Sequence, residues 1–181
     1  MHLPHTLVIL TVAALPLYLA AAAGAQETPG RTTLSIAYGY FRQTTPAESD
    51  QQTSSTTFTD LKLTRDMHKG LLLGGVAGTA FGTVDSRYAG LVGGYRYRGF
   101  SAEVLWLPTA VRTEPTASFR EGRGLGADLG YSVRITRRLS FGGQMSYRWF
   151  DFDALEVQGS RRTIKTAFRQ RTPQLTLGYS F

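Results

Sequence analysis

Five charged side chains stand out because alternation along the chain turns them away from the apolar residues beside them: Lys62, Arg96, Glu103, Asp128 and Arg148. Opposite charges gathered in one interior can do two things. They can pair and brace the wall around them, since buried charges are normally paired. Alternatively, they can exchange partners and gate a narrow water path. Catalysis is harder to find. A hydroxyl nucleophile needs a neighbouring base, and beyond residue 25 the only histidine is His68, in a short turn. No catalytic residue is assigned on that pattern. The chain has no cysteine, which excludes disulfides, thiolate metal sites and a cysteine nucleophile. Neither a metal site nor a cofactor is expected.

These residues sit on a succession of strands. Alternation with period two marks eight of them, at about 32–42, 56–65, 70–83, 87–98, 100–108, 123–134, 139–150 and 163–181. On the fifth, Phe100, Ala102, Val104 and Trp106 alternate with Ser101 and Glu103. On the sixth, Leu125, Leu129 and Tyr131 alternate with Gly126, Asp128 and Gly130. On the seventh, Phe141, Met145, Tyr147 and Trp149 alternate with Gly142, Gln144 and Arg148. The fourth and fifth form a tight hairpin, which sets Glu103 opposite Gly94 and diagonal to Arg96. The second strand is the least regular, with Asp60 and Lys62 opposite Leu61 and Leu63; the Gly-rich third has ambiguous faces.

The connections alternate too. Long ones are expected at about 43–55, 109–122 and 151–162, and tight ones near 66–69, 98–99 and 135–138. An even number of strands joined in this way is the pattern of an eight-stranded antiparallel up-and-down transmembrane β-barrel, with long extracellular loops and short periplasmic turns.

Two kinds of barrel are open to such a chain. A soluble, lipocalin-like barrel fills its interior with the apolar row. The rows opposite the greasy faces offer glycine, serine and charged residues, which fill a core poorly and strand ions in it. Turned inside out, the same sheet puts its greasy rows in hydrocarbon and its small and charged rows in the lumen, and closure leaves no unpaired edge. The aromatics fall into two groups. Tyr97, Phe100, Tyr131, Phe141, Tyr179 and Phe181 gather at the short-turn end. Tyr38, Tyr40, Phe81, Trp106, Tyr147 and Trp149 gather at the other. Two girdles suit two membrane interfaces.

Strand count, loop alternation and the closing Gly178-Tyr179-Ser180-Phe181 resemble the small eight-stranded outer-membrane barrels of the OmpX/OmpA type, over the whole chain beyond residue 25. The resemblance implies a bacterial outer-membrane location. It also implies that Tyr179 and Phe181 form an assembly signal read by the barrel assembly machinery. Some barrels of this size modify lipid A with a histidine, a serine and an acid. That makes lipid A modification a third reading, after a structural or surface-interaction role and a narrow gated pore.

The formal net charge is +7. In the last strand, Arg161, Lys165, Arg169 and Arg171 share the outward parity of Phe181. A tilted strand crosses the apolar band in about 9–11 residues, so Arg169 and Arg171 emerge at the level of lipopolysaccharide phosphates. Arg42 caps the first strand, which neighbours the last when the barrel closes. Arg42, Arg169 and Arg171 are therefore a candidate lipopolysaccharide phosphate contact, and a solvated extension above the membrane is the alternative. Nucleic acid is not an expected partner, because the basic residues divide between two rims of an exported chain. A monomer among outer-membrane lipids is expected, with the polar loops open to a surface partner.

The first 25 residues contain no Asp, Glu, Lys or Arg and end in Ala23-Gly24-Ala25. This is the pattern of a cleaved signal peptide, with 26–181 as the barrel. An uncleaved anchor is the other reading of the stretch, and Pro4 and Pro16 interrupt it.

Overall fold

The computed structural model describes residues 30–46 and 51–181, so the signal peptide expected at 1–25 lies outside the described residues. Eight strands follow one another: β1 (Thr32–Pro46), β2 (Gln51–Asp66), β3 (Leu71–Gly82), β4 (Asp85–Tyr97), β5 (Phe100–Glu114), β6 (Ala117–Arg134), β7 (Leu139–Val157) and β8 (Ser160–Ser180). Each pairs antiparallel with its neighbour in sequence. β1 and β8 close the ring over Thr33↔Ser180 to Tyr38↔Leu175. The fold is an all-β up-and-down barrel.

The strands are longer than alternation of apolar residues indicates. The segments expected as long connections at 109–122 and 151–162 are strand for most of their length, and the chain reverses at residues 115–116 and 158–159. Gln158 and Gly159 both have positive φ, 49° and 77°. That is the mirror-image turn whose twist matches a two-residue hairpin, and Arg98 and Gly99 repeat it at the opposite end with 48° and 87°. Outside the apolar band the outward residues become polar, so hydropathy no longer reports the strand. β-Branched residues such as Val111, Thr113 and Thr163 continue it on the pleated backbone. The barrel therefore carries tall hairpins on one rim and tight turns on the other.

Burial alternates with the pleat. Val104 is 64% exposed, whereas its neighbours Glu103 and Leu105 are 6% and 0% exposed. Leu34, Ile36, Leu61, Leu63, Leu73, Leu91, Leu125, Leu129, Leu175 and Leu177 are all exposed on the outer wall. A soluble monomer seldom exposes an apolar patch above a few hundred Å², whereas a closed barrel in lipid requires a continuous one. Tyr97, Phe100, Phe141, Tyr179 and Phe181 are exposed at the tight-turn end of this band, and Tyr38, Tyr40, Phe81, Trp106 and Trp149 at the hairpin end. The protein is a transmembrane barrel. β3 loses its ambiguity: Leu71, Leu73 and Phe81 face out, and Leu72, Val76 and Ala80 face in.

The interior corrects one expectation. It is not lined only by small and charged residues. Leu72, Val76, Tyr88, Val92, Leu105, Leu107, Ala110, Phe150 and Phe152 form an internal apolar cluster, with Phe119 and Phe168 packed on it. The aromatic rings of Phe119, Phe152 and Phe168 lie 5.0–5.9 Å apart by centroid, in the tilted and edge-on geometries such rings prefer. Burying each of these side chains contributes about 1.5–3 kcal/mol.

Candidate functional site

The lumen charges are set by register. Glu103 on β5 lies directly opposite Asp128 on β6, and Gly94 on β4 lies on Glu103's other side. Two carboxylates facing each other across adjacent strands repel. Lys62 resolves this from β2 across the lumen: its Nζ donates to Glu103 Oε2 at 2.5 Å and to Asp128 Oδ2 at 2.6 Å. Gly94 matters here because an added Cβ comes within 2.3 Å of the Ala102 carbonyl oxygen and 2.8 Å of the Glu103 Cα. Only a bare backbone lets β4 lie this close to Glu103.

Arg148 on β7 spans the other side of Asp128. Its guanidinium donates to both carboxylate oxygens of Asp128, with Nη2 3.0 Å from Oδ2, and Nη2 also reaches Asp60 Oδ2 at 2.9 Å. This is the two-pronged contact for which arginine is suited. Tyr88 donates its hydroxyl to the other Asp60 oxygen. Beside them Gln144 accepts from Lys62 at 3.3 Å, and Gln144, Ser146 and Gln174 bond one another at 2.6–3.0 Å. Lys62, Asp60, Asp128 and Arg148 are all 3% exposed or less. The network joins two cations to three carboxylates and so carries one net negative charge.

Desolvating five charges costs several kcal/mol per ion, and attraction offsets it only with close geometry and satisfied donors. Most donors here are satisfied; Arg148 Nε is buried without a partner. The arrangement can therefore hold four strands, β2, β5, β6 and β7, to one another through the lumen.

Four of the five lumen residues expected from sequence, Lys62, Glu103, Asp128 and Arg148, meet in this cluster. The fifth does not join it. Arg96 lies diagonal to Glu103 as the hairpin requires, yet its Nη1 pairs with Asp66 Oδ1 at 3.0 Å, at the tight-turn end of the lumen. Lys62 occupies Glu103, and Asp66 is nearer the rim where Arg96 emerges. Two members were missed as a pair, Asp60 and Tyr88. Both lie on the inward parity inside the strands expected at 56–65 and 87–98, Asp60 two residues from Lys62 and Tyr88 eight from Arg96, so the alternation already turns them into the lumen.

Arg161, Lys165, Arg169 and Arg171 of β8 are outward and exposed, as parity requires. Arg169 stands opposite Trp149, and Arg171 opposite Tyr147 with its guanidinium 5.9 Å from that ring. Both lie at the hairpin-end aromatic girdle. Arg42 is on β1, with its side chain outside the described residues. The β1–β8 pairing runs from Thr33↔Ser180 to Tyr38↔Leu175; Arg42 lies four residues beyond its last pair, and the same register continued sets it opposite Arg171. At the closing end, Tyr179 and Phe181 are outward, with ring centroids 6.2 Å apart. His68 begins a single 3-10 turn, His68–Gly70, between β2 and β3. Among the described residues no group of histidines and carboxylates is arranged to hold a metal ion.

No known family model matches the chain, and no curated protein matches its sequence. Solved structures of similar shape are transmembrane barrels. Neisserial surface protein A (NspA) is 10% identical, with a TM-score of 0.49 over 86% of this chain and 100% of that one. A de novo designed transmembrane β-barrel is 12% identical, with a TM-score of 0.45 over 87% of this chain and 100% of that one. The outer membrane protein AlkL, determined in DMPC bilayers, is 10% identical with a TM-score of 0.45 over 88% of this chain and 93% of that one.

Proposed function

We propose that this chain is a bacterial outer-membrane barrel whose lumen is shut, and that its work is structural and surface-facing rather than catalytic or conductive. The observation that carries this reading is the filled interior. Lys62, Glu103, Asp128 and Arg148 are buried side by side at mid-lumen, and Leu105, Leu107, Phe150 and Phe152 are buried in the half beyond them. Eight strands leave an interior that side chains can fill, and here they do so with two unlike materials.

The outer surface supplies the second half of the reading. The hairpins β5–β6 and β7–β8 rise beyond the apolar band and are tied together by Arg120–Glu156 at 2.6 Å and by Arg161–Glu121. Such a polar surface suits contact with a partner outside the cell. Arg169 and Arg171 sit where lipopolysaccharide phosphates lie, with Arg42 as a third contributor. Tyr179 and Phe181 serve as the signal for the barrel assembly machinery, and the barrel works as a monomer.

The test is single-channel conductance of the refolded barrel in a planar bilayer. A folded barrel that stays silent is the expected result. Reproducible conductance steps that shift in Glu103→Gln would replace this reading with that of a gated pore. For the lipid contact, charge reversal at Arg42, Arg169 and Arg171 should reduce lipopolysaccharide co-purification, and unchanged co-purification would remove that assignment.

A further inference from the structure

Between the ion network and the tight-turn rim the lumen opens into a polar cavity of about 100 Å³. At 10–15 Å³ for each water position, that is room for roughly seven to ten waters, or for one tetrahedral oxyanion with part of its hydration shell. Its walls are serine and threonine hydroxyls from β1, β5, β6, β7 and β8, and four guanidinium groups converge on it: Arg31, Arg96, Arg134 and Arg138.

The charges there are not balanced. Asp66 is the side-chain carboxylate at this level, and it is bonded to Arg96 at 3.0 Å. Glu103, at the cavity floor, is bonded to Lys62. Among the described residues neither Arg31 nor Arg134 has a carboxylate within 4 Å. Arg31 donates to the Arg137 carbonyl, and Arg138 donates to the Tyr179 hydroxyl at 3.2 Å. Both contacts hold a guanidinium at the mouth without neutralising it. Burial, and then the facing Arg134, lower the Arg31 pKa, with Arg96 adding to the effect and Asp66 opposing it.

Like charges turned into one cavity repel unless an anion sits among them. Planar guanidinium forks match the oxygens of a phosphate, and nearby hydroxyls supply further donors. We propose that the tight-turn mouth of the lumen is a receptor for a phosphate-type oxyanion, held chiefly by Arg31 and Arg134 with Arg96 and Arg138 beside them. The oxyanion is presented either by a free phosphate or phosphomonoester or by a phospholipid headgroup at the adjoining rim. This site is separate from the arginines of β8, which lie at the opposite end and on the outer wall.

The test is calorimetric titration of the refolded barrel with inorganic phosphate in maltoside micelles, which carry no phosphate, and in the same micelles with phosphatidylglycerol added. In maltoside alone, saturable one-to-one binding is expected. It should weaken at least tenfold in the Arg31→Gln/Arg134→Gln double variant and partly recover in Arg31→Lys/Arg134→Lys. It should be unchanged in Arg87→Gln/Arg123→Gln, two exposed arginines of the hairpin end. If phosphatidylglycerol abolishes the response, the headgroup is the source; if the response persists, the free anion is. Because these four positions are on rims, heat-modified gel mobility should show all three variants folded. Absence of saturable binding in maltoside alone, or binding that the first double variant leaves intact, overturns the proposal.

Discussion

In the tight-turn half of the lumen, Glu103, Lys62, Asp128, Arg148 and Asp60 close the barrel with a chain of four ion pairs, and a polar cavity lies below them. In the hairpin half, Phe119, Phe150, Phe152 and Phe168 close it with apolar packing, capped by Arg112 lying 4.1 Å over the Phe168 ring. The two halves occupy one tube with one backbone pattern. The first is directional: each member needs a named partner, and losing one leaves a charge unpaired in a low dielectric. The second is non-directional and tolerates changes of shape better than changes of volume. The ionic half fixes which strands face each other across the lumen, and the aromatic half supplies bulk that excludes water.

The largest effect should come from breaking the ionic half at its hub. Arg148→Met leaves Asp60 and half of Asp128 uncompensated, and should destabilise the barrel by about 3–5 kcal/mol in urea unfolding from vesicles. Phe152→Ala attacks the aromatic half; it is 2% exposed and should cost about 3–5 kcal/mol with a cavity left behind. Neither change alone should open the lumen, because the other half still closes it. Conductance in Phe152→Ala alone would show that the ionic half is leaky.

A smaller effect should come from the place where the halves meet. A Cβ on Gly78 would lie 2.2–2.5 Å from the Tyr88 ring and hydroxyl. Gly78→Ala should displace Tyr88 from Asp60 at about 1–3 kcal/mol, visible as altered tyrosine fluorescence as well as a lower unfolding midpoint. The smallest effect is expected from Glu103→Gln. It removes one of three carboxylates facing two cations and relieves the Glu103–Asp128 repulsion, so stability should change by less than about 1 kcal/mol. A loss as large as that of Arg148→Met would mean that the two ends of the network are equally critical.

Much of this division was legible along the chain. Alternation marked eight strands and put Lys62, Glu103, Asp128 and Arg148 inward, because period-two chemistry survives any rearrangement that keeps the pleat. The aromatic half was less legible. Phe150 and Phe152 have the same parity as Arg148, and Leu105 and Leu107 the same parity as Glu103. They lie near or within segments where polar outward residues imitate loops, and β-bulges between Leu107 and Ala110 shift the phase. Parity alone cannot pass through a bulge.

The sequence by itself determined that the chain is a closed antiparallel barrel with its greasy rows outward, because hydrocarbon on one side and a narrow lumen on the other leave each residue type one place to go. Only the tertiary structure decided which charges meet. Lys62 and Asp128 are separated by 66 positions, and Arg148 and Asp60 by 88. Their distances follow from how far each strand is staggered against the next around the ring. That stagger also sends Arg96 to Asp66, leaves Arg31 and Arg134 facing an unfilled balance of charge at the mouth, and stacks phenylalanines from β6, β7 and β8 into one plug.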